Sequence, residues 1–250
     1  MILELDVGNS RIKWRLLAQD SLVPSSAGHV PGIAELQRVQ ELDAVIAQAR
    51  MCSVRAPEVN RQIEDWVRAR WGIEIEQARV TRSCGGVTNQ YEDVSRLGID
   101  RWLAMLAAYR RAQGACIVID SGTAFTLDLV DEQGLHLGGY ILPGLRLMRD
   151  SLEENTGIRL SKDYSCNSQE LGHSTDAAVF NGAVAALLAT IKQLSQSLRS
   201  DKGTKIYFAG GDAELLHGLA GIKNSEIVLS LVFEGLDVAC GAPPLAQGRN

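Results

Sequence analysis

The chain has 250 residues, 46% of them apolar and 22% charged, with a formal net charge of -5 and a pI of about 5.5. That length suits one large domain or two of about 100–150 residues, with enough Val, Ile, Leu and Ala to bury a core. The acidic balance argues against a duplex-binding protein, and with no unbroken run of about 18 apolar residues no membrane span is expected.

Met1 leads directly into a stretch carrying Glu4 and Asp6, unlike the basic and then apolar start of a signal peptide. The five cysteines, Cys52, Cys84, Cys116, Cys166 and Cys240, are odd in number, widely spaced and without a CxxC pair. They read as reduced thiols of a cytoplasmic protein rather than as a zinc site or disulfide framework.

Residues 1–18 read as a hairpin of two apolar strands joined at Gly8-Asn9-Ser10. Pro24, Gly28, Pro31 and Gly32 mark a loop over 25–32. A short helix is expected over Ile33–Glu41 and a strand within Ala44–Val54. Pro57 starts a helix with a Val59, Ile63, Trp66, Val67 stripe, and Gly72 ends it. A short strand follows at 73–75. Residues 81–99 lack periodicity and read as a long loop, a common location for function. Asp100 is placed to cap the next helix, which carries Trp102, Leu103, Leu106 and Tyr109.

The second half opens near Ala115 with another hairpin, then a strand over Leu135–Leu142 and a helix over Leu145–Glu154. A polar loop covers 156–172. The longest helix candidate runs from Thr175 to Leu198, with Val179, Ala183, Leu187, Ile191, Leu194 and Leu198 at spacings of four and three. Lys205–Ala209 is a strand, Gly210-Gly211 turns it into a helix, and a last helix spans Leu231–Cys240. The tail after Pro243 reads as disordered. Two halves result, 1–114 and 115–250. Their mixed α/β order differs from the strict alternation of a doubly wound sheet.

The chemistry concentrates in a repeated turn. Ile2-Leu3-Glu4-Leu5-Asp6-Val7-Gly8-Asn9-Ser10 is an apolar strand, an Asp, a Gly and a polar residue. Cys116-Ile117-Val118-Ile119-Asp120-Ser121-Gly122-Thr123-Ala124 repeats it 114 residues later. A glycine in such a turn brings backbone N–H groups close to a ligand. Short polar side chains suit phosphate oxygens, and the carboxylate suits a metal ion or its waters. A single copy is an ordinary hairpin turn; two copies at equivalent places indicate a duplicated fold with a site between its halves. Lys13 either reaches phosphate or is simply exposed. Asp100-Arg101 is a helix cap or a base beside an anion-binding group, since a hydroxyl attacking phosphorus needs a nearby base and Arg offers a fork of donors. Gly210-Gly211-Asp212 is a plain strand–helix turn or backbone laid against an adenine ring. No P-loop, dinucleotide fingerprint, nucleophile elbow, HExxH or protein-kinase signature is present. The scattered His29, His136, His173 and His217 carry no metal pattern.

Taken together, the chain resembles the type III pantothenate kinases of the acetate and sugar kinase/Hsp70/actin superfamily. The resemblance rests on Asp6-Val7-Gly8-Asn9-Ser10, Gly98-Ile99-Asp100-Arg101, Asp120-Ser121-Gly122-Thr123-Ala124-Phe125-Thr126, Gly138-Gly139-Tyr140-Ile141-Leu142-Pro143-Gly144 and Gly210-Gly211-Asp212, in the family's order. Ser10 replaces the commoner Thr and keeps the hydroxyl. The resemblance implies two duplicated ribonuclease H-like (actin-like ATPase) domains with mixed sheets and an interdomain cleft. It implies ATP-dependent phosphorylation of the primary hydroxyl of pantothenate, the first step of coenzyme A synthesis. Asp100 would be the general base, and Tyr91, Gly98, Ile99, Arg101 and Thr175 would contact pantothenate, Thr175 from the partner of a homodimer. Asp6, Val7, Gly8, Asn9, Ser10, Arg11, Ile12, Lys13 and Thr123 would bind ATP. Asp6 would act through Mg²⁺, and Asp120 would ligate K⁺ or NH₄⁺. No nucleic acid or membrane partner is implied. The alternatives are a superfamily kinase acting on another small hydroxyl or carboxyl compound, and a non-enzymatic ATP-binding regulator.

Overall fold

A computed structural model of the chain describes residues 1–18, 21, 23–161, 168–196 and 203–241. The chain folds as two compact units. One comprises Met1–Gly85, Tyr91–Ala107 and the chain from Val232; the other comprises Gly86–Gln90 and Ala108–Leu231.

The first unit is built on β1 (Ile2–Val7), β2 (Ile12–Leu17), β3 (Pro24–Val30), α1 (Ile33–Leu36), β4 (Gln48–Ser53), α2 (Pro57–Trp71) and β5 (Ile75–Gln77). Its sheet order is β3-β2-β1-β4-β5. β1 pairs antiparallel with β2 and parallel with β4, and β4 pairs parallel with β5. Side chains alternate across a strand, so β1 sends Leu3, Leu5 and Val7 into one core with Trp14, Leu16, Met51, Ile63 and Val67. α2 follows its sequence signals, with Pro57 at its start and the Gly72 N–H closing on Arg68 O in a left-handed turn.

The opposite face of this sheet is polar. Glu4 and Asp6 stand beside Arg15 and Lys13 on β2 and beside Arg50 and Cys52 on β4. Buried Glu4 accepts from Arg15 Nε at 2.5 Å and lies 3.6 Å from Arg50 Nη1. Arg15 Nη2 also donates to Phe233 O at 3.0 Å, and Arg50 lies 3.5 Å from Asp237. These ion pairs dock the last helix (Leu231–Ala239) on the first unit; hydropathy alone does not indicate where that helix returns.

β6 (Ser83–Cys84) and β7 (Val87–Thr88) form a small two-stranded sheet, and α3 (Ile99–Ala112) follows. In the second unit come β8 (Cys116–Ser121), β9 (Ala124–Val130), β10 (His136–Pro143), α4 (Leu145–Asn155), α5 (Thr175–Ser195), β11 (Lys205–Ala209), α6 (Ala213–Ala220) and β12 (Ser225–Ile227). The sheet order is β10-β9-β8-β11-β12. The pairing senses repeat those of the first unit: β8 runs antiparallel to β9 and parallel to β11, which runs parallel to β12. The duplication inferred from two turns therefore extends over five strands in each half. Ile117, Ile119, Phe125 and Leu127 pack with Val184, Leu187, Leu188 and Ile191 of α5. Among the described residues α5 alone is long and apolar enough by length and composition to cross a membrane, and these four residues, with Asn181, are its buried ones.

Several local expectations change. The 25–32 loop contains the edge strand β3: Pro24 is its first residue, a position that needs no ladder donor, and Gly28 faces the Trp14 ring. The helix expected to reach Glu41 ends at Leu36, followed by a 3₁₀ turn at Gln40–Asp43. The 81–99 loop holds β6, β7 and a 3₁₀ turn at Val94–Arg96. β12 was not anticipated. Asp100 is no cap: it lies within the first turn of α3. The expected tail beyond Pro243, residues 197–198 of the long helix and residues 162–167 of the polar loop lie outside the described residues.

Candidate active site

Asp6 is the penultimate residue of β1. Lys13, its partner across the hairpin, places Nζ 3.2 Å from Asp6 Oδ2. Cys52, its partner on β4, donates its thiol to Asp6 Oδ1 at 3.7 Å. Burial, and then the Asp6 and Asp100 charges, push the Cys52 thiol well above its ordinary range. It therefore stays protonated and serves as a donor. Buried Val7 and Ile12 flank the turn, and the Gly8 N–H closes it on Arg11 O at 3.1 Å. Asn9, Ser10 and Arg11 are exposed. Arg55, just past β4, donates from Nε to Gly8 O at 2.8 Å and from Nη2 to Asn9 O at 2.6 Å. Sequence reasoning missed Arg55 and Cys52, whose signal was only their place at the end of the strand beside β1.

Asp100 is held in the same unit. Its Oδ1 accepts the Arg101 N–H at 2.8 Å. A Cβ at Gly98 would lie 2.7 Å from that oxygen, so glycine there makes room for the carboxylate. Burial raises the Asp100 pKa above its ordinary value, and the nearby Asp6 charge adds to the effect, while the Arg101 N–H and guanidinium oppose it. Buried Arg101 donates from Nη1 to Tyr91 Oη at 2.9 Å. Arg82 holds the same segment from behind, donating to Tyr91 O at 2.9 Å and Glu92 O at 3.2 Å. Thus Tyr91, Gly98, Ile99, Asp100 and Arg101, chosen from the sequence, form one connected group. A protonatable carboxylate sits next to a fixed guanidinium and within electrostatic reach of Asp6. Such a set can take a proton from a hydroxyl and hold an anionic group beside it.

In the second unit the Gly122 N–H donates to Ala124 O at 2.9 Å, and the Gly144 N–H to Thr123 O at 3.0 Å. The Gly138–Gly144 stretch thereby braces the second turn. Asp212 closes it from the other side: its N–H donates to Ser121 O at 3.0 Å and its carboxylate accepts from Ser121 Oγ at 3.2 Å. Burial raises the Asp212 pKa. Gly210 has φ of 89°, and a Cβ there would lie 2.3 Å from Ser121 O and 2.6 Å from Asp120 Oδ1. A carboxylate oxygen and a peptide oxygen thus lie close together beside Gly210, which leaves no room there for a side chain. Thr123 is exposed, as is Thr175, which opens α5 behind its Ser174 cap. The described residues contain no group of three or more His, Cys, Asp or Glu side chains placed to hold a metal ion.

The chain is similar to known proteins along most of its length. The family model for type III pantothenate kinase matches residues 2–197. A type III pantothenate kinase of Ectopseudomonas mendocina (strain ymp) is 40% identical over 247 residues, spanning 96% of this chain and 99% of that one. Among solved structures, a conserved candidate Baf-family transcriptional activator from Campylobacter jejuni aligns with a TM-score of 0.61 at 19% identity, covering 94% of this chain and 95% of that one. The ethanolamine utilization protein EutJ from Carboxydothermus hydrogenoformans aligns with a TM-score of 0.52 at 12% identity, covering 95% of this chain and 89% of that one. At such identities the structural likeness speaks for the fold alone, here the two mixed five-stranded sheets. The sequence match goes further: this chain belongs to the type III pantothenate kinase family.

Proposed function

We propose that the chain transfers the γ-phosphoryl group of ATP to the primary hydroxyl of pantothenate, with Asp100 as general base. The hydroxyl oxygen forms a bond to the γ-phosphorus, the bond from that phosphorus to the β,γ-bridging oxygen breaks, and ADP leaves. The hydroxyl proton passes to Asp100. Arg101, fixed by Tyr91, offers its guanidinium to the carboxylate of pantothenate or to the moving phosphoryl group. The observation that carries this reading is the state of Asp100: half-buried, oriented by the Arg101 N–H, and raised in pKa above the ordinary carboxylate value by desolvation.

The first turn, Asp6 to Lys13, is read as the phosphate end. Asp6 and Asp100 are neighbouring anions whose repulsion a cation would relieve. That fits Mg²⁺ arriving with ATP and keeping most of its waters, held by one carboxylate. The ion would neutralise phosphate charge. The second turn suits a monovalent cation at Asp120, with Thr123 toward ATP. Exposed Thr175 fits a role contributed to the partner copy of a homodimer. A cytoplasmic location accords with free thiols.

A coupled ATP-consumption assay tests the reading. ADP release should require pantothenate, yield a phosphomonoester product and slow when Na⁺ replaces K⁺. ATP turnover indifferent to pantothenate would overturn it.

A further inference from the structure

We propose that Arg55 is a positioning residue for ATP: it locks the first phosphate turn with its peptide N–H groups aimed at the triphosphate. The proposal rests on the kinase reading above. One guanidinium donates to two successive carbonyls, Gly8 O at 2.8 Å and Asn9 O at 2.6 Å. In a trans peptide the C=O and the following N–H point in opposite directions. With both oxygens turned to Arg55, the N–H groups of Asn9 and Ser10 both point away from it, on one side of the turn. Successive N–H groups sharing a direction make an anion-binding nest, and the guanidinium behind them adds positive charge.

Arg55 is itself held in place. The Val54 N–H donates to Val7 O at 3.2 Å, continuing β4 beside β1. The Arg55 N–H donates to Ser53 Oγ at 3.1 Å, and α2 begins two residues later at Pro57. The internal repeat supplies an independent observation. Asp6 is paired with Cys52, and Asp120 with Ala209. Three residues past those partners stand Arg55 in one half and Asp212 in the other. Each bonds back to the same end of its central strand, Arg55 to Gly8 and Asn9 in the turn just after β1, Asp212 to Ser121 at the last position of β8. The same scaffold position carries a cation in one half and an anion in the other. That difference favours the first turn as an anion site, and it is a feature of this chain that the repeated Asp-x-Gly motif does not encode.

The test is steady-state kinetics on Arg55→Ala and Arg55→Lys. Losing two charge-assisted bonds that orient the nest should raise KM for ATP about tenfold in Arg55→Ala, while KM for pantothenate stays within about twofold. Arg55→Lys keeps the charge but cannot span two carbonyls, so its KM for ATP should still rise roughly threefold. Guanidinium ion added to Arg55→Ala should recover part of the affinity for ATP. If Arg55→Ala does not fold, the same split between the two KM values is read from Arg55→Lys. Unchanged KM for ATP in the folded variants, or equal rises for both substrates, would overturn the proposal. A wild-type chain that consumes no ATP with pantothenate would instead remove the kinase reading.

Discussion

Arg15→Met probes the ion-pair layer beneath Asp6. Methionine keeps most of the apolar stem and removes only the guanidinium. Glu4, which has no exposed surface, then loses its 2.5 Å partner and keeps only Arg50 at 3.6 Å. Breaking a buried pair costs about 3–5 kcal/mol because the remaining charge stays buried; with Arg50 still present we take about 3. Phe233 O loses a charged donor at 3.0 Å, adding about 1 kcal/mol. The sum, about 4 kcal/mol, is a large part of the 5–15 kcal/mol that usually holds a domain together. Adding Glu4→Gln discharges the stranded carboxylate, so the double variant should regain about half the loss despite carrying one more substitution. Urea unfolding followed by circular dichroism at neutral pH measures all three proteins. A loss below about 1 kcal/mol in Arg15→Met, or a double variant no more stable than the single one, would refute the reasoning.

Two further outcomes follow from the site. Asp100 must be ionised to accept a proton, and its pKa is raised above 3.8, chiefly by burial. The kcat/KM for pantothenate should therefore rise with pH through an apparent pKa above that value; a profile flat down to an ordinary carboxylate pKa would count against Asp100 as base. Gly210→Ala forces a Cβ to 2.3 Å from Ser121 O in a left-handed conformation, at a cost of about 1–3 kcal/mol. The adjustment falls on the Ser121 backbone and the Asp120 carboxylate, so KM for ATP should increase as thermal stability drops; a variant with wild-type values of both would show that the crowding is relieved elsewhere.

Much of this was legible in the sequence because it is local. The two hairpins follow from apolar strands broken at Gly8 and Gly122, α2 from Pro57 and Gly72, and the family from five short motifs in order. Asp100 and Arg101 were legible because a motif names them, and Tyr91 only through the family resemblance. What escaped depends on pairing between distant segments. Arg55 and Cys52 acquire meaning only from the register of β4 on β1. Glu4, Arg15 and Arg50 look like surface charges in a linear reading, yet face one another on three adjacent strands. The return of the last helix to the first unit is decided by Phe233 and Asp237 meeting Arg15 and Arg50, about 190 to 220 residues away along the chain. Asp100 was misread as a cap because Asp is favoured both there and within the first helical turn.

The central claim is that Asp100 takes the proton from pantothenate. Asp100→Asn is nearly isosteric and cannot act as a base. The sign of its effect on folding is also set: the fold raises the Asp100 pKa, so stability is lost as pH climbs from the ordinary carboxylate pKa through the raised one and stays lower above it. A neutral amide there should leave the melting temperature at pH 7 unchanged or higher. The decisive measurement is kcat of Asp100→Asn at saturating ATP and pantothenate, with ATP binding followed by calorimetry on the same sample. The account predicts a loss of about 10²–10⁴-fold in kcat with ATP affinity retained; a variant that binds ATP and turns over at the wild-type rate would contradict it.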